Sequence, residues 1–217
     1  MNVLEHLEPK SVFRFFEEMC AIPHGSRNTK AVSDWCADFA RARGLEYHQD
    51  GDNNIIIIKE AAPGYEAAPP VILQGHLDMV CEQTADCQKD MSREGLDLAV
   101  DGDFVYAKGT TLGGDDGIAV AMALALLDAE GLPHPRLEAV FTVDEEIGLL
   151  GAASIDVTPL KGRQMLNLDS EAEGIFTVSC AGGNTSACLL PLTRAPFDGA
   201  GVTVAVGGLT GGHSGAE

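Results

Sequence analysis

Apolar side chains recur at helical spacing over residues 9–19 and again over 29–43, with Ser11 and Asn28 placed as caps and Gly44 as a stop. The spacing then changes. Residues 53–60, "NNIIIIKE", carry four successive isoleucines, β-favouring and uninterrupted, which predicts a strand buried on both faces. Further strands are predicted over 69–80 ("PPVILQGHLDMV"), 136–143 ("RLEAVFTV") and 164–169 ("QMLNLD"). Between them, 118–131 ("IAVAMALALLDAEG") is rich in Ala and Leu and ended by glycine, the pattern of a buried helix. Strands alternating with helices predict an α/β domain with a mixed or largely parallel sheet flanked by helices.

Ligands of such sheets collect beyond the carboxyl ends of the strands. His76 and Asp78 follow "VILQG", Asp144, Glu145 and Glu146 follow "LEAVFTV", and Asp169 follows "QMLNL". Segments far apart in sequence are therefore expected to meet at one edge. From Thr177 the chain turns to Gly, Ser and Thr with strand-like runs, which puts a domain boundary near 181–185 and divides 1–183 from 184–217.

Composition narrows the chemistry. The chain has 14 Lys plus Arg against 33 Asp plus Glu, a formal charge of −19, which argues against nucleic acid or an anionic membrane surface as partner. Metal cations and small polar substrates suit it better. The first residues lack a basic region followed by an apolar one, and no apolar run approaches the roughly 20 residues of a bilayer span. The expectation is a cytoplasmic protein whose six cysteines, none in a CxxC pair, stay reduced.

Three adjacent carboxylates at the end of an apolar strand repel one another unless a cation offsets them. "HLD" places His76 and Asp78 two apart, and a metal-bound histidine commonly gives its other N–H to such an acid; alone, the pair also fits a surface histidine beside an acid. Asp115 and Asp116 in "GTTLGGDDG" precede the Ala-rich helix, where two acids also suit a helix N-terminus. "DEE" in isolation also reads as a solvated acidic turn. Together these residues supply the imidazole and carboxylate ligands that zinc, cobalt or manganese take. A two-metal hydrolase needs a shared carboxylate, terminal ligands on each ion and a base, and every role but one terminal ligand has a candidate.

In order, "QGHLDMV", "GTTLGGDDGI", "FTVDEEIGLLGA", "LNLDSEAEG", "CAGG" and "GLTGGHSG", with "IPHGSRNTKAVSDW" before them, resemble the aminoacyl-histidine dipeptidases. These belong to the co-catalytic zinc metallopeptidase family that includes aminoacylases, carnosinases and glutamate carboxypeptidases. The resemblance implies His76 and Asp169 as ligands of one metal, Asp115 as the bridge with a cis bond to Asp116, and Glu146 as ligand of the second metal. It also implies Glu145 as general base, Asp78 behind His76, and His213 as a lid-domain donor to the oxyanion. Asp144 is left as a strand-end acid, and His6, His24, His48 and His134 are expected on the surface or in loops.

The implied reaction is hydrolysis of dipeptides, of Xaa-His type including β-alanyl-histidine, with two divalent ions, zinc or else cobalt or manganese. A homodimer is implied for the full-length form. The family's second metal also takes a histidine from late in a longer chain, so this sequence is read as an N-terminal portion ending in the start of an α+β lid domain. Two other readings stay open: a related aminotripeptidase or N-acyl-amino-acid amidohydrolase, and an inactive truncated metal-binding fragment. "CAGG" and "GTTLGGDDG" favour the dipeptidase.

Overall fold

A computed structural model of the chain describes residues 3–170, 174–179 and 186–205. Its elements run α1 (Lys10–Cys20), α2 (Lys30–Ala42), β1 (Glu46–Gln49), β2 (Ile55–Lys59), β3 (Val71–His76), β4 (Leu98–Asp101), β5 (Phe104–Ala107), α3 (Gly114–Asp128), β6 (Leu137–Thr142), α4 (Leu150–Ser154) and β7 (Gln164–Asn167). A five-stranded sheet is ordered β1-β2-β6-β3-β7, and β4 with β5 forms a separate hairpin. The sheet is mixed: β1, β2 and β6 pair antiparallel in turn, whereas β3 lies parallel to both β6 and β7. This is the predicted α/β class.

The isoleucine run explains why β2 lies inside the sheet. Ile55 and Ile57 join the main core, and Ile56 and Ile58 join a smaller cluster with Ile72 and Val140 on the opposite face. Each such side chain withdrawn from water contributes about 1.5–3 kcal/mol. The main core lies on the helical face. There α1 buries Val12, Phe15, Phe16, Met19 and Cys20, the spacing of one helical stripe, and Phe15 meets Phe39 of α2 edge to face at 5.4 Å. α3 has almost no polar side and is buried accordingly.

Several local expectations change. Pro9 and Thr29, not Ser11 and Asn28, occupy the N-cap positions, and neither bonds through a side chain. Main-chain bonds from Val12 and Phe13 to the Pro9 carbonyl and from Ser33 to that of Thr29 close those first turns instead. Gly44 does end the second helix region, at φ +64°. β3 stops at His76, short of residue 80, because the chain beyond turns to pair Met79 with Gly25. α3 begins earlier than expected, through non-helical Asp115 and Asp116, and ends at Asp128 because Ala129 is extended. His24 and His134 do lie in loops, but both are buried.

By contacts the chain divides into two units, 1–171 and 172–217. In the second, the described residues hold no helix or strand, and Phe176, Val178, Leu189 and Phe197 are exposed. The strand-like runs there find no ladder partner among the described residues. The expected boundary between 183 and 184 lies outside the described residues, as does His213. The described cysteines are free thiols, and no helix among the described residues is long and apolar enough to cross a membrane.

Candidate metal centre

Because β6, β3 and β7 run parallel, their carboxyl ends share one edge, and register sets the level of each side chain there. His76 pairs with Thr142, the last residue of β6, and Leu77 N–H donates to the Thr142 carbonyl at 2.8 Å. Gln74 pairs with Asn167, so Asp169 emerges level with His76. The start of α3 reaches the same point: Asp116 is buried and accepts the His76 N–H through Oδ2 at 3.1 Å. Glycine at position 75 permits that approach, since a Cβ there would lie 2.6 Å from Asp116 Oδ2. The peptide bond between Asp115 and Asp116 is cis.

His76 is 1% exposed and is the hub of the site. Its Nδ1 faces the main-chain oxygen of Asp78 at 2.9 Å, an acceptor only, so Nδ1 carries a hydrogen and Nε2 is the ring nitrogen turned to the acids. Nε2 lies 3.0 Å from Asp115 Oδ1, 3.9 Å from Glu145 Oε2 and 3.9 Å from Asp169 Oδ2. Two sets of potential ligand atoms each fall within 4.8 Å of one another: His76, Asp115 and Glu146, and His76, Glu145 and Asp169. One imidazole and four carboxylates from four segments thus converge.

The Asp78 carboxylate does more than back the histidine. Its Oδ1 is 3.5 Å from His76 Nδ1, farther than its own carbonyl oxygen. The same carboxylate accepts Ser26 Oγ–H at 2.8 Å and the main-chain N–H groups of Glu145 at 3.0 Å and Glu146 at 3.4 Å. Burial alone would raise its pKa; His76, the Glu145 N–H and Ser26 overcome burial and hold it below the usual carboxylate range. One buried acid therefore braces both the histidine and the acidic turn.

The remaining groups are short of positive charge. Burial raises the Glu145 pKa, with Asp169, Asp78 and Asp115 adding to it against His76. Burial and then Asp115 do the same to Glu146, and burial pushes Asp116 to about 7. For His76, burial works downward, but hydrogen bonds to Asp115 and Asp78 and the charge of Asp116 carry it up to about 11. Such a cluster holds protons or a cation. Its donors are the nitrogen and oxygen ligands that divalent zinc, cobalt and manganese share, so the residues fit a metal.

The turn carrying the acids is also held from behind, by residues that the sequence motifs did not single out. Asn54, buried just before β2, accepts Val143 N–H through Oδ1 at 3.1 Å and donates to Asp50 Oδ2 at 2.8 Å. Ser26 belongs to "IPHGSRN", a segment with no recognisable ligand spacing. Asp116 was visible only as the neighbour of Asp115.

Residues 72–185 match the model of Peptidase family M20/M25/M40. The chain is 38% identical over 221 residues to the cytosol non-specific dipeptidase of Escherichia coli (strain K12), covering 100% of this chain and 45% of that relative. Among solved structures it resembles aminoacylhistidine dipeptidase from Vibrio alginolyticus, with 38% identity and a TM-score of 0.76 over 79% of this chain and 35% of that one. A tripeptidase from Staphylococcus aureus shares the fold at 22% identity and a TM-score of 0.62, covering 75% of this chain and 44% of that one. The chain spans less than half the length of these relatives.

Proposed function

Since the chain belongs to peptidase family M20/M25/M40, we propose that it supplies the metal-binding part of a cytoplasmic dipeptidase acting on Xaa-His dipeptides, β-alanyl-histidine included, with two divalent ions. The observation that carries this reading is the convergence of Asp115, Glu145 and Asp169 on Nε2 of buried His76, at 3.0, 3.9 and 3.9 Å. His76 and Asp169 hold one ion, Glu146 the other, and Asp115 both. Zinc is the expected metal. The full-length form is read as a homodimer.

When bound, divalent ions polarise a peptide carbonyl and make water a stronger acid. The rest is the work of side chains. Glu145 is neither fully buried nor exposed and stands beside the ligand set without a ligand role in this reading, which suits a group that takes a proton from the attacking water and passes it to the leaving amine. Asp78 fixes the Glu145 main chain through its N–H, so the base is aimed from the backbone outward. Asp78 and the Asp78 carbonyl keep the His76 ring from turning. His213 is proposed as the donor to the oxyanion.

The test pairs metal content with a dipeptide and tripeptide panel on the intact protein. Glu145→Gln is expected to lower turnover at least about hundredfold, the scale of a lost general base, while zinc content stays at the wild-type level. Loss of zinc together with turnover would make Glu145 a ligand and overturn the role. Preference for tripeptides or N-acyl amino acids over Xaa-His would overturn the substrate class.

A further inference from the structure

Asp144, the acid that the dipeptidase reading leaves without a ligand role, opens the turn that carries Glu145 and Glu146. Its backbone is left-handed at φ +55°, and so is that of Arg27 at φ +66°. Side-chain-bearing residues adopt that region at a cost and gather where surrounding structure enforces it. The two are joined: Arg27 N–H donates to Asp144 Oδ1 at 2.6 Å, across 117 positions of sequence.

What the bond holds is the segment 22–28. Ser26 donates its hydroxyl to Asp78 Oδ2 at 2.8 Å and its N–H to the Met79 carbonyl at 3.3 Å, and Met79 N–H returns to the His24 carbonyl at 3.2 Å. Gly25 is packed so closely that a Cβ there would lie 2.5 Å from Cys81 Sγ. The segment is therefore stitched along one side to the chain following β3. Asp144 closes the other side, next to Glu145. The circuit runs Asp144 to Arg27, Arg27 to Ser26, Ser26 to Asp78, and Asp78 back to the N–H groups of Glu145 and Glu146.

We propose that Asp144 is a positioning residue: by holding Arg27 N–H it clasps the 22–28 segment against the acidic turn, and through Ser26 and Asp78 it fixes Glu145 and Glu146 in place. The link from clasp to metal rests on the dipeptidase reading; the clasp itself does not. An acceptor at this position is required, whereas a negative charge is not. Asp and Asn share tolerance for left-handed backbone, and glycine has more of it.

That ordering makes the test. Glycine at 144 relieves the backbone and removes the acceptor; asparagine keeps both the acceptor and the backbone tolerance. In the metal-free intact protein, the exposed Arg27–Asn28 bond of Asp144→Gly is expected to be cut by trypsin at least about tenfold faster than in wild type, equivalent to about 1.4 kcal/mol of lost closure. Asp144→Asn is expected to match wild type within about twofold, a difference of only some 0.4 kcal/mol. Equal cleavage of all three, or Asp144→Asn cut as fast as Asp144→Gly, overturns the clasp. If Asp144→Gly does not fold, hydrogen exchange in wild type decides: the Arg27 amide is protected, and exchange at the free-peptide rate overturns the proposal. Zinc titration then reads the link: affinity falls about tenfold in Asp144→Gly and recovers in Asp144→Asn. Faster cleavage with unchanged zinc affinity overturns the positioning role. Failure of wild type to bind zinc refutes the metal reading and leaves the clasp result standing.

Discussion

Gly151→Ala sets two physical arguments against each other at one atom. Gly151 lies in α4, and helix propensity alone favours alanine there by about 1 kcal/mol. Sterics point the other way, because the new Cβ would stand 2.3 Å from Asn54 Oδ1, 2.4 Å from the Val143 carbonyl oxygen and 2.7 Å from Val143 N. Two of those atoms are backbone and cannot swing aside. The third is pinned by its bond from Val143 N–H at 3.1 Å, and Gly151 N–H itself donates to the Val143 carbonyl at 2.9 Å. Overpacking costs about 1–3 kcal/mol and an orphaned buried donor about 1–3 more. Set against the propensity gain, the net loss is about 1–5 kcal/mol. For a domain of this size each kcal/mol lowers Tm by about 2–4 °C, so calorimetry should show a fall of roughly 2–20 °C. Because Val143 immediately precedes the acidic turn, zinc affinity should fall as well. An unchanged or raised Tm would show that α4 moves off Val143 freely, and the account of how the turn is held would be wrong.

Zinc at a hundredfold excess over its Kd should stabilise the intact protein by about 2.7 kcal/mol, some 5–10 °C, with the shift removed in His76→Ala; an undiminished shift in that variant would place the ion elsewhere. Glu138, fully buried, accepts from Arg136 Nε at 2.7 Å and from the main-chain N–H groups of Lys161 and Gly162. Burial would raise its pKa, but Arg136 and the two amides together hold it below the usual range. A depressed folded pKa contributes stability above the ordinary glutamate value of about 4.3, and that stability is lost as pH falls through the folded value. Glu138→Gln should therefore cost about 2–4 kcal/mol in urea melts near neutrality, with the gap to wild type narrowing below about pH 4. A gap that stays constant or widens on acidification would remove Glu138 from the acid response.

The strands that the sequence announces are those whose burial is written into composition. Four isoleucines in a row, "VILQG" and "LEAVF" carry a strong interior signal, and the rule that ligands gather at strand carboxyl ends is enough to bring His76, the acidic turn and Asp169 to one edge. β1, "EYHQ", and the hairpin of β4 and β5 escaped notice because short, half-exposed strands carry little apolar signal. α4 was hidden for another reason: five residues held by contacts to Val143 have no periodicity of their own. Within the site, donors at motif spacing were legible. The residues that brace them act through hydrogen bonds to partners distant in sequence, backbone N–H groups for Asn54, Asp116 and Asp144 and the Asp78 carboxylate for Ser26, which leaves no pattern in one sequence.

β7 is a four-residue strand whose side chains are all exposed, and β3 is its one neighbour in the sheet among the described residues. Asp169 follows it by two residues, whereas His76 is sealed in the interior. The two proposed ligands thus belong to regions of unequal local stability, and native-state exchange would find β7 opening long before β3 does. An ion shared by His76 and Asp169 would act as a cross-link between a fast-fraying element and a slow one. Part of its binding free energy would go into quieting that strand, so the measured affinity would report the docking equilibrium of β7 as much as the strength of the ligands.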